Sequence, residues 1–189
     1  GSAVPTDVTQ PQEVDHLVRT CVAQLGRLDI LVLNAGINAD RRPIAESVIG
    51  DWRATLEVDL FGAYYCARAA IPYLKTQHSG VIITIGSGLG HRPKENLGAY
   101  SAAKAGLWSL TRTLAQELAP HNISVNELIP GPVLTGMTAN LAKERDSVFG
   151  IESEWVKEPE EVVPLALFLA TQPPVGPTAQ SFSLMRRAN

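Results

Sequence analysis

Leu28-Asp29-Ile30-Leu31-Val32-Leu33, followed at once by Asn34-Ala35-Gly36, decides the fold class. A compact apolar run bounded by turn residues, too short for a helix, reads as a strand covered on both faces, the kind found in parallel sheets. Upstream, Val14, Leu17, Val18, Cys21, Val22 and Leu25 recur at helical spacing and form one apolar stripe, which Gly26 ends. Val4 to Thr9 reads as a further short extended stretch, and Thr9 with Gln12 has the spacing of a capping box that would open the helix. Together these segments predict one β-α-β unit.

Downstream the alternation continues. Leu56, Leu60, Tyr64, Ala67, Ile71 and Leu74 predict a long helix from about Ser47 to Gln77, and Val81 to Ile85 a second buried strand. A helix rich in small residues follows over Asn96 to Ala119. Ile123 to Ile129 is then a strand closed by Pro130-Gly131. After a looser stretch from Thr135 to Lys157, Pro159-Glu160-Glu161 opens a helix to Ala170, and Gln180 to Leu184 reads as a last strand. Strands alternating with helices imply an α/β fold: a doubly wound parallel sheet with helices on both faces, in one domain over residues 1–189. In such sheets ligands sit beyond the carboxyl ends of the strands. The positions to inspect are therefore Asp7, Asn34-Ala35-Gly36, Gly86-Ser87-Gly88 and Pro130-Gly131-Pro132-Val133.

Composition excludes several function classes. Of 189 residues 45% are apolar and 19% charged, which argues against disorder. A net charge of -3 offers no basic field to hold a nucleic acid. The longest nearly unbroken apolar stretch, Val162 to Ala170, is far short of the roughly 20 residues that span a bilayer. The opening residues Gly1 to Asp7 lack the charged and apolar regions of a secretory signal. Cys21 and Cys66 are too few for a disulfide framework and fit a reducing cytoplasm. His16, His78, His91 and His121 are scattered without ligand spacing, so no metal site is expected; His91 could border a substrate pocket.

Tyr100 and Lys104 stand four apart on one face of a predicted helix, and Ser87 lies just beyond the end of the Val81 to Ile85 strand. Taken alone, the Tyr and Lys spacing also describes a solvated helix surface. With Ser87, three different polar groups meet at one end of the sheet. A phenol, with a pKa near 10, is a sluggish acid or base at neutral pH, and an adjacent ammonium favours its ionised form. A serine hydroxyl can donate to a carbonyl oxygen as negative charge grows on it.

Ser87 with Tyr100-Ser101-Ala102-Ala103-Lys104 resembles the catalytic core of the short-chain dehydrogenase/reductase family, in particular its 3-oxoacyl-carrier-protein reductase-like members. Asp7-Val8, Asn34-Ala35-Gly36, and Pro130-Gly131-Pro132-Val133 followed by Thr135 stand in that family's order, and the resemblance runs from about Ala3 to Met185. It implies a Rossmann-like fold and a nicotinamide-dependent exchange of a secondary alcohol and a ketone, with NAD or NADP as cofactor. It further implies Tyr100 as general acid/base, Lys104 as the group that binds the nicotinamide ribose and tunes the tyrosine, and Ser87 as the group that orients the substrate oxygen. Asn34, Ala35, Gly36, Pro130, Gly131, Val133 and Thr135 match segments lining the cofactor, and Asp7 and Val8 the segment beside the adenine. For Asn34 an equal alternative is structural, since the matching residue also ties neighbouring strands together.

Two departures qualify the resemblance. Where the family has Asn in a Val-Asn-Leu context of the long helix, part of a proton relay, this chain has Val58-Asp59-Leu60, and a buried charge there must be paired or protonated. No phosphate-binding glycine loop precedes Asp7, so the expectation is a domain lacking its N-terminal strands and helices, about 50 to 60 residues at roughly 25 to 30 per β-α unit. Gly86-Ser87-Gly88-Leu89-Gly90 does not replace that loop: its sixth position is His91, and no helix is expected to begin at once. The expectation is an enzyme of which these 189 residues are inactive by themselves; the alternative is a catalytically incompetent fragment, or a binding or scaffold member of the family.

Ala99, Ala102, Ala103, Ala105 and Gly106 make the Tyr100 helix thin, which suits core packing or a helix from a second subunit; a homodimer or homotetramer is the expected state. Met137, Leu141, Phe149 and Trp155, in the stretch matching the family's substrate pocket, suit an apolar or amphipathic alcohol or ketone.

Overall fold

The structure is a computed structural model and describes residues 1–138, 156–173 and 175–185. Four parallel strands, β1 (Ile30–Leu33), β2 (Gly80–Ile85), β3 (Ile123–Ile129) and β4 (Ser181–Ser183), lie in the order β1-β2-β3-β4. In register, Ile30 pairs with Val81, Gly80 with Ile123 and Glu127 with Ser181. Parallel neighbours need crossovers, and helices supply each one. α2 (Ile49–Leu56) and α3 (Ala63–Gln77) join β1 to β2; α4 (Gly88–His91) and α5 (Gly98–Leu118) join β2 to β3; α6 (Val163–Ala170) precedes β4.

The alternation of side chains along β2 and β3 divides the core in two. Ile82, Ile123 and Val125 face α3 and α5, packing with Ala67, Ala70, Leu74, Leu107 and Leu114. Val81, Ile83 and Leu128 face the other way, onto Leu169 of α6. Helices on both faces make the sheet doubly wound, as the alternation predicted, and Rossmann-like, as the resemblance implied. α6 packs on β2 and β3, and on β1 Ile30 and Val32 are 43% and 49% exposed.

The N-terminal reading is corrected. Val4 to Thr9 is not a strand, because among the described residues no strand offers it a ladder, and several of its polar groups bond locally. Thr6 Oγ1 donates to the Val4 carbonyl, Gln10 N to the Asp7 carbonyl, and Thr9 N and Oγ1 both donate to Asp7 Oδ1 at 2.9 and 2.8 Å. With its hydroxyl so engaged, Thr9 caps nothing. α1 (Pro11–Leu25) starts after Gln10 without a side-chain cap and ends at Gly26, whose φ of 79° needs glycine. The long predicted helix is continuous from Ile49 to Gln77, but its middle, Glu57–Gly62, is a π-helical turn. A four-residue helix, α4, does begin directly after Ser87, contrary to expectation.

Candidate active site

The polar groups singled out by the sequence gather at the carboxyl end of β2. Lys104, on α5, is buried, and its Nζ donates to the Ile85 carbonyl at 3.1 Å. The same Nζ stands 3.2 Å from Asp59 Oδ2, an ion-pair distance, and 5.5 Å from the centre of the Tyr100 ring. Spacing of four on one helix brings Tyr100 and Lys104 together; the π-helical turn brings in Asp59. Widening the helix at that turn places the carboxylate inward, where it is fully buried and accepts from Ile37 N at 2.7 Å. Burial pushes the Asp59 carboxyl above its ordinary value, against the pull of the Lys104 ammonium and the Ile37 N–H.

Gly36 lies over this pair. A Cβ at that position would come 3.2 Å from Asp59 Oδ2 and 3.4 Å from Lys104 Nζ, so glycine gives the backbone close access to both. Beyond it opens a cavity of about 580 Å³ lined by Gly36, Ile37, Asn38, Arg41 and Met137. The loop that carries these residues is fixed by Arg42, which bridges Asp40 at 2.8 Å and Asp51 at 2.5 Å, and by Thr55, whose hydroxyl accepts from Ala39 N. The Arg42 hydrogen bond holds the Asp40 carboxyl below its usual range.

Ser87 caps α4, its Oγ accepting from Leu89 N at 3.2 Å, which leaves the hydroxyl hydrogen available to another acceptor. α4 packs against α5 so closely that a Cβ on Gly90 would lie 2.8 Å from the Lys104 carbonyl carbon. Pro130, Gly131, Val133 and Thr135 follow β3; Gly131 takes φ 70°, Val133 pairs with Lys157, and Thr135 N donates to Thr138 Oγ1. Of the expected pocket residues, Met137 lines the cavity, while Leu141, Phe149 and Trp155 lie outside the described residues.

The remaining positions are less engaged. Asn34 and Ala35 are exposed, and among the described residues the Asn34 side chain makes no hydrogen bond, so it ties no strands together. Asp7 is exposed, and hydrogen bonds from Thr9 hold it below the usual carboxylate value. Val8 packs on Gly62, where a Cβ would come 2.8 Å from its Cγ2. Among the described residues no group of His, Cys, Asp and Glu could hold a metal ion, and no helix is long and apolar enough to cross a membrane.

Sequence reading missed Glu127, a fully buried carboxylate in the otherwise apolar and small-polar strand β3. It accepts from His91 Nε2 at 2.9 Å and from the Ser181 hydroxyl. An acidic residue inside Ile123-Ser-Val-Asn-Glu-Leu-Ile was the available signal.

A family model described as short chain dehydrogenase matches residues 2–146. The chain belongs to the short-chain dehydrogenase family. It is 38% identical over 183 residues to a 3-oxoacyl-[acyl-carrier-protein] reductase of Synechocystis sp., covering 96% of this chain and 73% of that one. It is 36% identical over 170 residues to a cis-4-hydroxycyclohexanecarboxylate dehydrogenase of Sinomonas cyclohexanicum, covering 89% and 68%. Among solved structures, a short-chain type dehydrogenase/reductase from Mycobacterium marinum superposes with a TM-score of 0.87 at 29% identity, over 96% of this chain and 73% of that one. NAD+-bound xylitol dehydrogenase shares the fold, with a TM-score of 0.85 at 24% identity, over 95% and 76%. The protein is thus an oxidoreductase of the short-chain dehydrogenase family with a Rossmann-like parallel sheet.

Proposed function

We propose that residues 1–189 carry the catalytic residues of an NAD- or NADP-dependent oxidoreductase that interconverts a secondary alcohol and a ketone, and belong to a single domain of it. The observation that carries this reading is the position of Lys104 Nζ, 3.1 Å from the Ile85 carbonyl, 3.2 Å from Asp59 and 5.5 Å from the Tyr100 ring. The nicotinamide end of a dinucleotide suits this place, because Gly36 both packs against Lys104 and lines the cavity. Lys104 would hold the ribose, with Asn34, Ala35, Gly36, Pro130, Gly131, Val133 and Thr135 around the cofactor and Asp7 and Val8 towards its adenine. A bound nicotinamide supplies or accepts the hydride.

The chain's own residues handle the proton. In reduction, the Tyr100 O–H donates its proton to the carbonyl oxygen as a bond to hydrogen forms at carbon; in oxidation, the phenolate takes that proton back. Ser87 donates a hydrogen bond to the oxygen that becomes an alkoxide. Asp59 lies against Lys104 and offsets its charge when ionised. The names of the two relatives denote a 3-oxoacyl compound and a hydroxycyclohexane carboxylate, both consistent with alcohol and ketone chemistry. Free Cys21 and Cys66 fit a cytoplasmic setting, and Phe61 and Tyr64, 43% and 44% exposed on the long helix, offer a face for a homodimer or homotetramer.

A second reading, a catalytically incompetent fragment or a scaffold member of the family, draws on Asp59 beside Lys104. Titration of the 189-residue chain with NADH and NADPH separates the two. Saturable binding supports a catalytic domain; no binding alongside a folded circular dichroism spectrum supports the second reading.

A further inference from the structure

Between Ile85 and Arg92 the chain runs Gly86-Ser87-Gly88-Leu89-Gly90-His91. Three glycines and a helix of four residues give this segment little intrinsic order. Its order must come from outside. The Ser87 cap on Leu89 N and the contact of Gly90 with the α5 backbone at Lys104 fix its start and middle. Its end is held by His91, whose Nε2 donates to Glu127 Oε2 at 2.9 Å and whose ring lies on Trp108, centroids 4.9 Å apart.

Glu127 is 0% exposed, and its Oε2 accepts from Ser181 on β4 as well as from His91. Its other oxygen, Oε1, is buried with no hydrogen-bond partner among the described residues and occupies the space over Gly86, where a Cβ would come within 1.9 Å of it. A buried carboxylate with one oxygen unsatisfied is costly, and an aliphatic side chain would fill that place in the core without the cost. What the carboxylate adds is a fixed acceptor under the segment that carries Ser87. We propose that Glu127 is a positioning residue: through His91 it locks the Gly86 to His91 segment against α5, and so sets where the Ser87 hydroxyl stands relative to Tyr100 and Lys104. The structural part stands on this geometry alone; its consequence for turnover rests on the alcohol and ketone reaction proposed above.

His91→Phe tests it, since phenylalanine keeps a ring for Trp108, removes the donor, and replaces a side chain only partly buried. His91→Gln is the rescue variant, because its amide N–H can reach the same acceptor. Two measurements are made on the full-length protein. In hydrogen exchange, His91→Phe is expected to speed exchange at Leu89, Gly90 and Arg92 while β3 and α5 exchange as before, and His91→Gln to restore protection. In kinetics, His91→Phe is expected to lower kcat by roughly ten- to a hundred-fold with KM nearly unchanged, because a misplaced donor costs transition-state contact rather than binding. Unchanged exchange at those amides, or faster exchange spread evenly over α5 and β3, overturns the clamp whether or not the protein turns over. Local loosening with unchanged kcat overturns the positioning of Ser87 and leaves the proposed reaction standing. A wild-type protein inactive on every alcohol and ketone tested counts against that reaction, and the exchange result still decides the clamp.

Discussion

Asp59 and Lys104 meet at 3.2 Å in the core, and the balance between burial and attraction decides the charge state of the carboxyl. Burial is the larger effect and raises the Asp59 pKa above 3.8. An acid whose pKa is raised by folding contributes its full stabilisation below the unfolded value and loses it as pH rises through the folded one. Asparagine has no such titration. The stability of the wild type relative to Asp59→Asn is therefore expected to fall as pH is raised from about 4 through the folded Asp59 pKa, and then to level off. Urea unfolding of both proteins across that range checks it; a relative stability that rises with pH would contradict the assignment. The nearness of Tyr100 to Lys104 and the place of Ser87 just beyond β2 were legible because they rest on a short spacing and on a strand end. Glu127 and His91 were not, because the residues are 36 positions apart and meet only through tertiary packing.

At the scale of elements, α4 on α5 is the contact on which the site depends. Gly90→Ala would bring a Cβ to 2.8–3.0 Å of the Lys104 and Ala105 backbone, where neither helix can yield without moving apart. The expected cost is about 1–3 kcal/mol by chemical unfolding, with turnover falling further than in an equally destabilised variant remote from the site. Strand β3 and the end of α1 at Gly26 were readable to the residue, because an apolar run closed by Pro130-Gly131 and a glycine with positive φ are local signals. The π-helical turn was hidden. An apolar stripe through Leu56, Leu60 and Tyr64 reads as uninterrupted helix, and one widened turn does not break that spacing. Val4 to Thr9 failed for the opposite reason: local residue preference looked extended, yet a strand exists only where another strand accepts its hydrogen bonds.

Across the whole molecule, the sheet is well covered on the α3 and α5 side and only partly on the α6 side. Leu107, 1% exposed between α5 and the sheet, carries full burial, so Leu107→Ala is expected to cost about 2–5 kcal/mol in thermal or urea unfolding. At β1 the sheet instead ends in exposed Ile30 and Val32 beside a strand edge without a partner among the described residues. The fold class was legible because alternation of strands and helices is a property of the entire chain. Which faces remain open was not, since that depends on how far α6 reaches.

The central claim is that Tyr100 moves the proton while hydride passes between substrate carbon and nicotinamide. It is tested most directly by following the consumption of NADH and NADPH with a panel of ketones, 3-oxoacyl thioesters included, by the full-length protein and its Tyr100→Phe variant. The account predicts turnover with at least one ketone and a loss of about 100-fold or more in kcat on removal of the hydroxyl, with the thermal unfolding midpoint little changed. Turnover by Tyr100→Phe equal to that of the wild type would contradict it.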